Sequence, residues 1–178
     1  MEAGSPDWSR DGTQLLFVSF EDGAHGSASF PFIVTIDTST GRVVRHGRLP
    51  LPKEIQNALW AVWSPVSDEV ALEADLGGGR HSLWVVNSDG TAARKLTEYP
   101  MRTYGGVSWA SGGKALVYAA LTEGRMQLFA IPAAGGAPRQ LTRNSANLFT
   151  PRTSPDGRLV AATRVSHLKE VRRIPLPR

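Results

Sequence analysis

A serine hydrolase presents its nucleophile in a Gly-x-Ser-x-Gly turn between a strand and a helix. The nearest string here runs Gly106, Val107, Ser108, Trp109, Ala110. It ends in alanine and lies in a stretch that reads as a β-strand, so Ser108 is read as structural. The four histidines, His25, His46, His81 and His167, fall in loops or on outer strands of separate segments. None stands at the His-x-x-x-His or acid–His spacing of a metal site, and all four are expected to be exposed single side chains. Two acidic strings beside glycine, from Glu21 to Gly23 and from Asn87 to Gly90, lack the spacing of a calcium loop and are explained by turn chemistry. The run from Leu76 through Gly77, Gly78 and Gly79 to Arg80 lacks the Gly-Lys-Ser/Thr ending of a phosphate loop and reads as a hairpin. Cysteine is absent, which excludes disulfides, thiolate metal sites and a thiol nucleophile. No catalytic residue, no metal and no cofactor is expected.

Charge is unevenly placed. Residues 1–100 hold 13 acids and 8 bases, a balance of −5; residues 101–178 hold 3 acids and 12 bases, a balance of +9. Such a split accompanies nucleic-acid or membrane contact, or complementary ends of an assembling arc. Its plainest reading is chance variation of solvated faces. The basic end, Arg164, Lys169, Arg172, Arg173 and Arg178, has no interleaved aromatic residues of the kind a single-strand binder uses, so no nucleic acid is expected as partner. The longest apolar stretch, 115–121, is far short of the ~20 residues of a spanning helix, so no membrane insertion is expected. The first residues have neither a basic nor an apolar region, and no signal peptide is read there.

The elements that carry these residues emerge from an internal repeat. Four segments starting at Trp8, Trp63, Trp109 and Thr153 align without a gap. Seven residues on stand Leu15, Val70, Leu116 and Val160; then Leu16, Ala71, Val117 and Ala161; then Phe17, Leu72, Tyr118 and Ala162. Three apolar columns in one register mark a strand shared by all four units. A further apolar strand follows in each unit, at 32–36, 83–86, 128–131 and 171–174. Turns at 37–41, 87–90 and 133–136 come next, rich in Gly, Asn and Asp, then outer strands at 43–49, 93–97 and 139–142. The unit is four short antiparallel strands repeated at about 45 residues, within the propeller range. A polar, Gly-rich loop is expected around 21–29.

Trp-Ser-Pro-Asp-Gly, an apolar strand, an aromatic strand and a closing Leu-Thr together resemble the TolB-type WD40-like repeat. The segment 83–97 matches best, and unit four holds Pro155, Asp156 and Gly157 at the turn. The resemblance implies an all-β propeller with blades at 1–50, 51–100, 101–146 and 147–178, in a single domain 1–178. In the turn, Pro sets φ, Asp bonds its own backbone and Gly takes the left-handed position. Trp8, Trp63 and Trp109 are expected to pack between blades. Unit four stops after its third strand, so the propeller is partial: a fragment, an open arc, a small ring, or half of a ring that a second copy completes head to tail.

A propeller offers a rim and a central funnel. Leu59, Trp60, Tyr104, Leu148 and Phe149 enter the innermost strands and form a candidate partner-binding rim. The resemblance implies a non-enzymatic protein- or peptide-binding scaffold, extracytoplasmic in many relatives. Two alternatives stay open: the propeller of a prolyl-oligopeptidase-like peptidase without its hydrolase domain, and the sensor propeller of a multidomain regulator.

Overall fold

The computed structural model describes residues 2–23, 26–100 and 105–165. Blade 1 comprises β1 (Glu2–Trp8), β2 (Gln14–Gly23), β3 (Gly26–Asp37) and β4 (Arg42–Arg48). Blade 2 comprises β5 (Asn57–Trp63), β6 (Glu69–Asp75), β7 (Arg80–Asn87) and β8 (Arg94–Pro100). Blade 3 comprises β9 (Val107–Ala110), β10 (Ala115–Thr122), β11 (Arg125–Pro132) and β12 (Arg139–Gln140). Blade 4 is described through β13 (Asn147–Thr153) and β14 (Val160–Val165). Each sheet is an antiparallel meander in sequence order, and together they form a partial, open propeller. No helix among the described residues is long and apolar enough to cross a membrane.

The repeat register is a pairing register. Trp8 faces Leu15, Trp63 faces Val70, Trp109 faces Leu116 and Thr153 faces Val160. The turns beyond these pairs show which residues shape them. In blade 1, Ser9 Oγ donates to Asp11 at 2.7 Å, Thr13 N donates to the same carboxylate at 3.1 Å, and Gly12 sits at φ 70°. In blade 4, Ser154 Oγ donates to Asp156 at 2.6 Å, Arg158 N at 3.1 Å, and Gly157 sits at φ 70°. Arg10 in blade 1 stands where blade 4 has Pro155, and the turn is the same. Serine, aspartate and glycine therefore carry it.

These turn carboxylates define an acid response. Hydrogen bonds from Ser9, Ser39, Thr91 and Ser154 hold Asp11, Asp37, Asp89 and Asp156 below the ordinary value of 3.8. A folded-state value below the unfolded one adds stability above 3.8, which is lost as pH falls through the folded value. The quadruple Asp→Asn variant is therefore expected to lose less stability on acidification below 3.8 than the native chain. Urea midpoints measured across that range check this, and parallel curves would refute it.

Between blades the packing is directional. One face of each sheet, here the leading face, carries the tryptophan column and lies on the trailing face of the blade before it. Trp63, Val70, Leu72, Trp84 and Val86 of blade 2 are 6%, 0%, 0%, 4% and 0% exposed, clustered with Leu16 and Val18 of blade 1. Trp109, Leu116, Tyr118 and Ile131 of blade 3 likewise cluster with Val62, Ala71, Leu83 and Val85 of blade 2. Covered on both sides, β6 and β7 bury residues on both faces, whereas β14 is exposed along most of its length. Each fully buried aliphatic side chain contributes about 1.5–3 kcal/mol.

Two expectations need correction. Trp8 is 52% exposed, not core, because no described blade stacks on the leading face of blade 1. The predicted polar loop around 21–29 is instead an extension of the β2–β3 hairpin, with Phe20 paired to Ser29, Glu21 to Ala28, Asp22 to Ser27 and Gly23 to Gly26. Ladder hydrogen bonds are made by the backbone, and a polar, Gly-rich composition does not prevent them.

Candidate functional site

The junctions are held by polar contacts as well as by apolar packing. At the first, Trp63 N donates to Asp7 Oδ2 at 2.7 Å and Ser29 N to Asn57 Oδ1 at 3.0 Å. At the third, Thr153 N donates to Ser108 Oγ at 3.1 Å and Met126 N to Asn147 Oδ1 at 2.9 Å. Asn57 and Asn147 hold the same repeat position, six residues before the tryptophan column. The second junction is made differently. There the fully buried Glu73 accepts from Gly106 N at 2.7 Å and Gly105 N at 3.2 Å, and Trp109 Nε1 donates to the Val62 carbonyl at 3.2 Å.

His81 belongs to this second junction, and its expected exposure is corrected. It is 8% exposed, with Nδ1 3.5 Å from Glu73 Oε1, because the β6–β7 hairpin pairs Asp75 with His81 and brings position 73 alongside. Tyr99 Oη lies 3.5 Å from the same oxygen. Burial, then the Glu73 charge, pushes the Tyr99 phenol well above its ordinary 10.0. His46 is exposed on β4, while His25 and His167 lie outside the described residues.

The innermost strands β1, β5, β9 and β13 line the channel side. The residues directly before the tryptophan column, Asp7, Val62, Ser108 and Arg152, converge there on a cleft of about 380 Å³. Trp63 and Trp109 form part of its wall, and the turn residues Pro155 and Gly157 part of its mouth. Burial raises the Asp7 carboxyl above its ordinary 3.8, offset by the Trp63 N–H and the Arg152 charge. The Arg152 guanidinium lies 5.1 Å from the Trp60 ring centroid, a cation–π distance. A left-handed residue recurs three positions before the column: Ser5 at φ 54°, Gly106 at 78° and Thr150 at 47°. In blades 1 and 4 it coincides with a bulge, which bends the strand and re-aims its last residues toward the channel.

Of the sequence-predicted rim, Leu59, Trp60, Leu148 and Phe149 lie on β5 and β13, three to five residues before the tryptophan column, with the Trp60 ring beside Arg152. Trp60 and Phe149 are half-buried against the core shared by blades 2, 3 and 4, Leu148 is buried and Leu59 is half-buried. Tyr104 and the basic residues Lys169, Arg172, Arg173 and Arg178 lie outside the described residues, and Arg164 is exposed on β14. Sequence reasoning passed over Asp7 and Arg152. The available signal was the column before the tryptophans, polar in three units of four.

No described histidine lines the cleft, and Ser108 Oγ is engaged with Thr153 N and the Trp109 carbonyl. Among the described residues no three His, Asp or Glu side chains gather as metal ligands would. The cleft offers a carboxylate, a guanidinium and indole faces.

The TolB beta propeller domain family matches residues 2–173. The chain belongs to that family. A curated relative, the Tol-Pal system protein TolB of Anaeromyxobacter dehalogenans (strain 2CP-C), is 32% identical over 96 residues, covering 54% of this chain and 19% of the relative. The solved structure of a TolB from Agrobacterium tumefaciens superposes with a TM-score of 0.70 at 18% identity, over 90% of this chain and 53% of that one. An oligogalacturonate lyase solved in complex with manganese superposes at 0.59 with 20% identity, over 88% of this chain and 45% of that one. The TolB-family chain thus spans about half of that solved TolB. At these identities both superpositions establish the propeller fold alone.

Proposed function

We propose that this TolB-family propeller is a non-enzymatic scaffold that binds a peptide or protein segment along its channel side. The observation that carries the reading is the convergence of Asp7, Ser108 and Arg152 from three blades on one cleft walled by Trp63 and Trp109. An extended peptide presents alternating charges, amides and apolar side chains, and opposed carboxylate and guanidinium groups beside indole rings suit it. A relative named for the Tol-Pal system supports a protein as the class of partner. The rim residues Leu59, Trp60 and Phe149, with Tyr104 by its place in the repeat, would extend the contact along the innermost strands.

Displayed random linear peptides selected on the native chain test this. Arg152 is exposed and its replacement leaves the core intact, so Arg152→Ala is expected to weaken selected peptides about tenfold or more, as loss of a charged interface anchor does. Peptides that bind Arg152→Ala and Trp60→Ala as tightly as the native chain would place recognition elsewhere.

A further inference from the structure

Blades 1 and 2 each tie their central hairpin to their outer strand with an ion pair. In blade 2, Arg80, which opens β7, reaches Glu98 of β8 at 3.2 Å. In blade 1 the polarity is reversed, and Arg48 of β4 reaches Glu21 of β2 at 3.2 Å. Blade 3 departs from both. Arg125 opens β11 as Arg80 opens β7, and Arg143 follows Leu141 and Thr142 as Glu98 follows Leu96 and Thr97. A second guanidinium therefore stands in blade 3 where blade 2 has a carboxylate. Among the described residues neither Arg125 nor Arg143 has a carboxylate partner.

Both arginines line one cavity of about 180 Å³, together with Thr122, Glu123, Gln140 and Asn144. Its frame is fixed by Gln127, which also lines it and is 3% exposed. Gln127 Nε2 donates to the carbonyls of Asn144 at 3.1 Å and Ala146 at 3.0 Å. Its Oε1 accepts from Thr142 Oγ1 at 2.9 Å and from Asn144 N at 3.1 Å. One buried amide thereby holds the segment that carries Arg143. Arg125 Nη1 donates to the Ser145 carbonyl at 2.6 Å, which ties the other guanidinium to the same segment. Both arginines are exposed and keep donors to spare. Glu123 offsets only one of the two positive charges. The cavity is built within blade 3, which has described blades on both sides.

We propose that this cavity binds a carboxylate from outside the chain, held between Arg125 and Arg143 in the place that Glu98 fills in blade 2. A guanidinium fork matches the two oxygens of a carboxylate, and two forks on one cavity offer more donors than a single ion pair uses. Two like charges beside one space repel, and an anion between them relieves that repulsion. The chain's own precedent for the group is a carboxylate, that of Glu98 on Arg80. A small free carboxylate and an acidic side chain make the same contacts. The cavity shares no residue with the channel cleft, so the proposal does not rest on the channel reading.

Backbone amide NMR on the full chain, at constant ionic strength, tests this with two probes: succinate, and a short capped peptide holding a single glutamate. Saturable shifts are expected at the amides of Arg125, Arg143, Asn144 and Ser145. Saturation by succinate identifies a small-molecule ligand, and saturation by the peptide alone identifies an acidic segment of a protein. Arg143→Glu rebuilds the arrangement of Arg80 and Glu98 on an exposed side chain, so the fold is retained. Binding is expected to fall about tenfold or more in that variant. Undiminished binding in Arg143→Glu would overturn the proposal, as would the absence of a saturable shift with either probe. Equal shifts with sodium chloride would reduce the site to an adventitious ion only, and tighter binding of inorganic phosphate than of either probe would overturn the assignment to a carboxylate.

Discussion

Trp109→Ala is expected to destabilise the fold by about 3–5 kcal/mol, the cost of emptying a buried aromatic site. Trp8→Ala, in the same repeat column, is expected to change it by no more than about 0.5 kcal/mol in dilute protein. Trp109 is 7% exposed within the core between blades 2 and 3, and its indole satisfies the Val62 carbonyl. Removing it leaves a cavity and a weakened backbone acceptor. Trp8 is 52% exposed, and its removal empties nothing. Urea unfolding of both variants, at concentrations low enough to keep copies apart, decides the point. Equal losses would mean that the two faces are equally covered and that the blades do not stack directionally.

Glu73→Ala is expected to cost about 2–4 kcal/mol. The buried carboxylate accepts from Gly105 N and Gly106 N, and a buried N–H left without a partner costs about 1–3 kcal/mol. Freedom from holding a charge out of water returns part of that loss. Glu73→Gln keeps the side-chain shape and one carbonyl acceptor, so its loss is expected to be smaller. Amide exchange at Gly105 and Gly106 is the specific readout, and it should accelerate in Glu73→Ala ahead of global unfolding. Exchange unchanged at those two amides, with stability within about 0.5 kcal/mol of native, would remove Glu73 from the junction.

Among the described residues, the second junction is held by a different residue. Asn57 and Asn147 serve the first and third junctions from a repeat position that is Thr103 in blade 3. Glu73 reaches the same seam from the middle strand of the preceding blade, where units one, three and four carry Val18, Ala119 and Thr163. A repeat search rewards what the units share. A compensating residue that appears once is invisible to it, which is why Glu73 and the buried His81 escaped sequence reading.

What the sequence by itself determined is the local order: strands, turns and the pairing of each Trp-column residue with the residue seven positions on. Those features arise from backbone hydrogen bonding, the period of two in a strand, and the conformations open to Asp and Gly, all of which act within one unit. Burial was decided by neighbours. Trp8 and Trp63 are the same residue in the same register, and only the presence of a blade on the leading face separates an exposed ring from a core one. The cleft was decided in the same way. Asp7, Ser108 and Arg152 are far apart in the chain, and they meet only because stacked blades turn their innermost strands toward one axis.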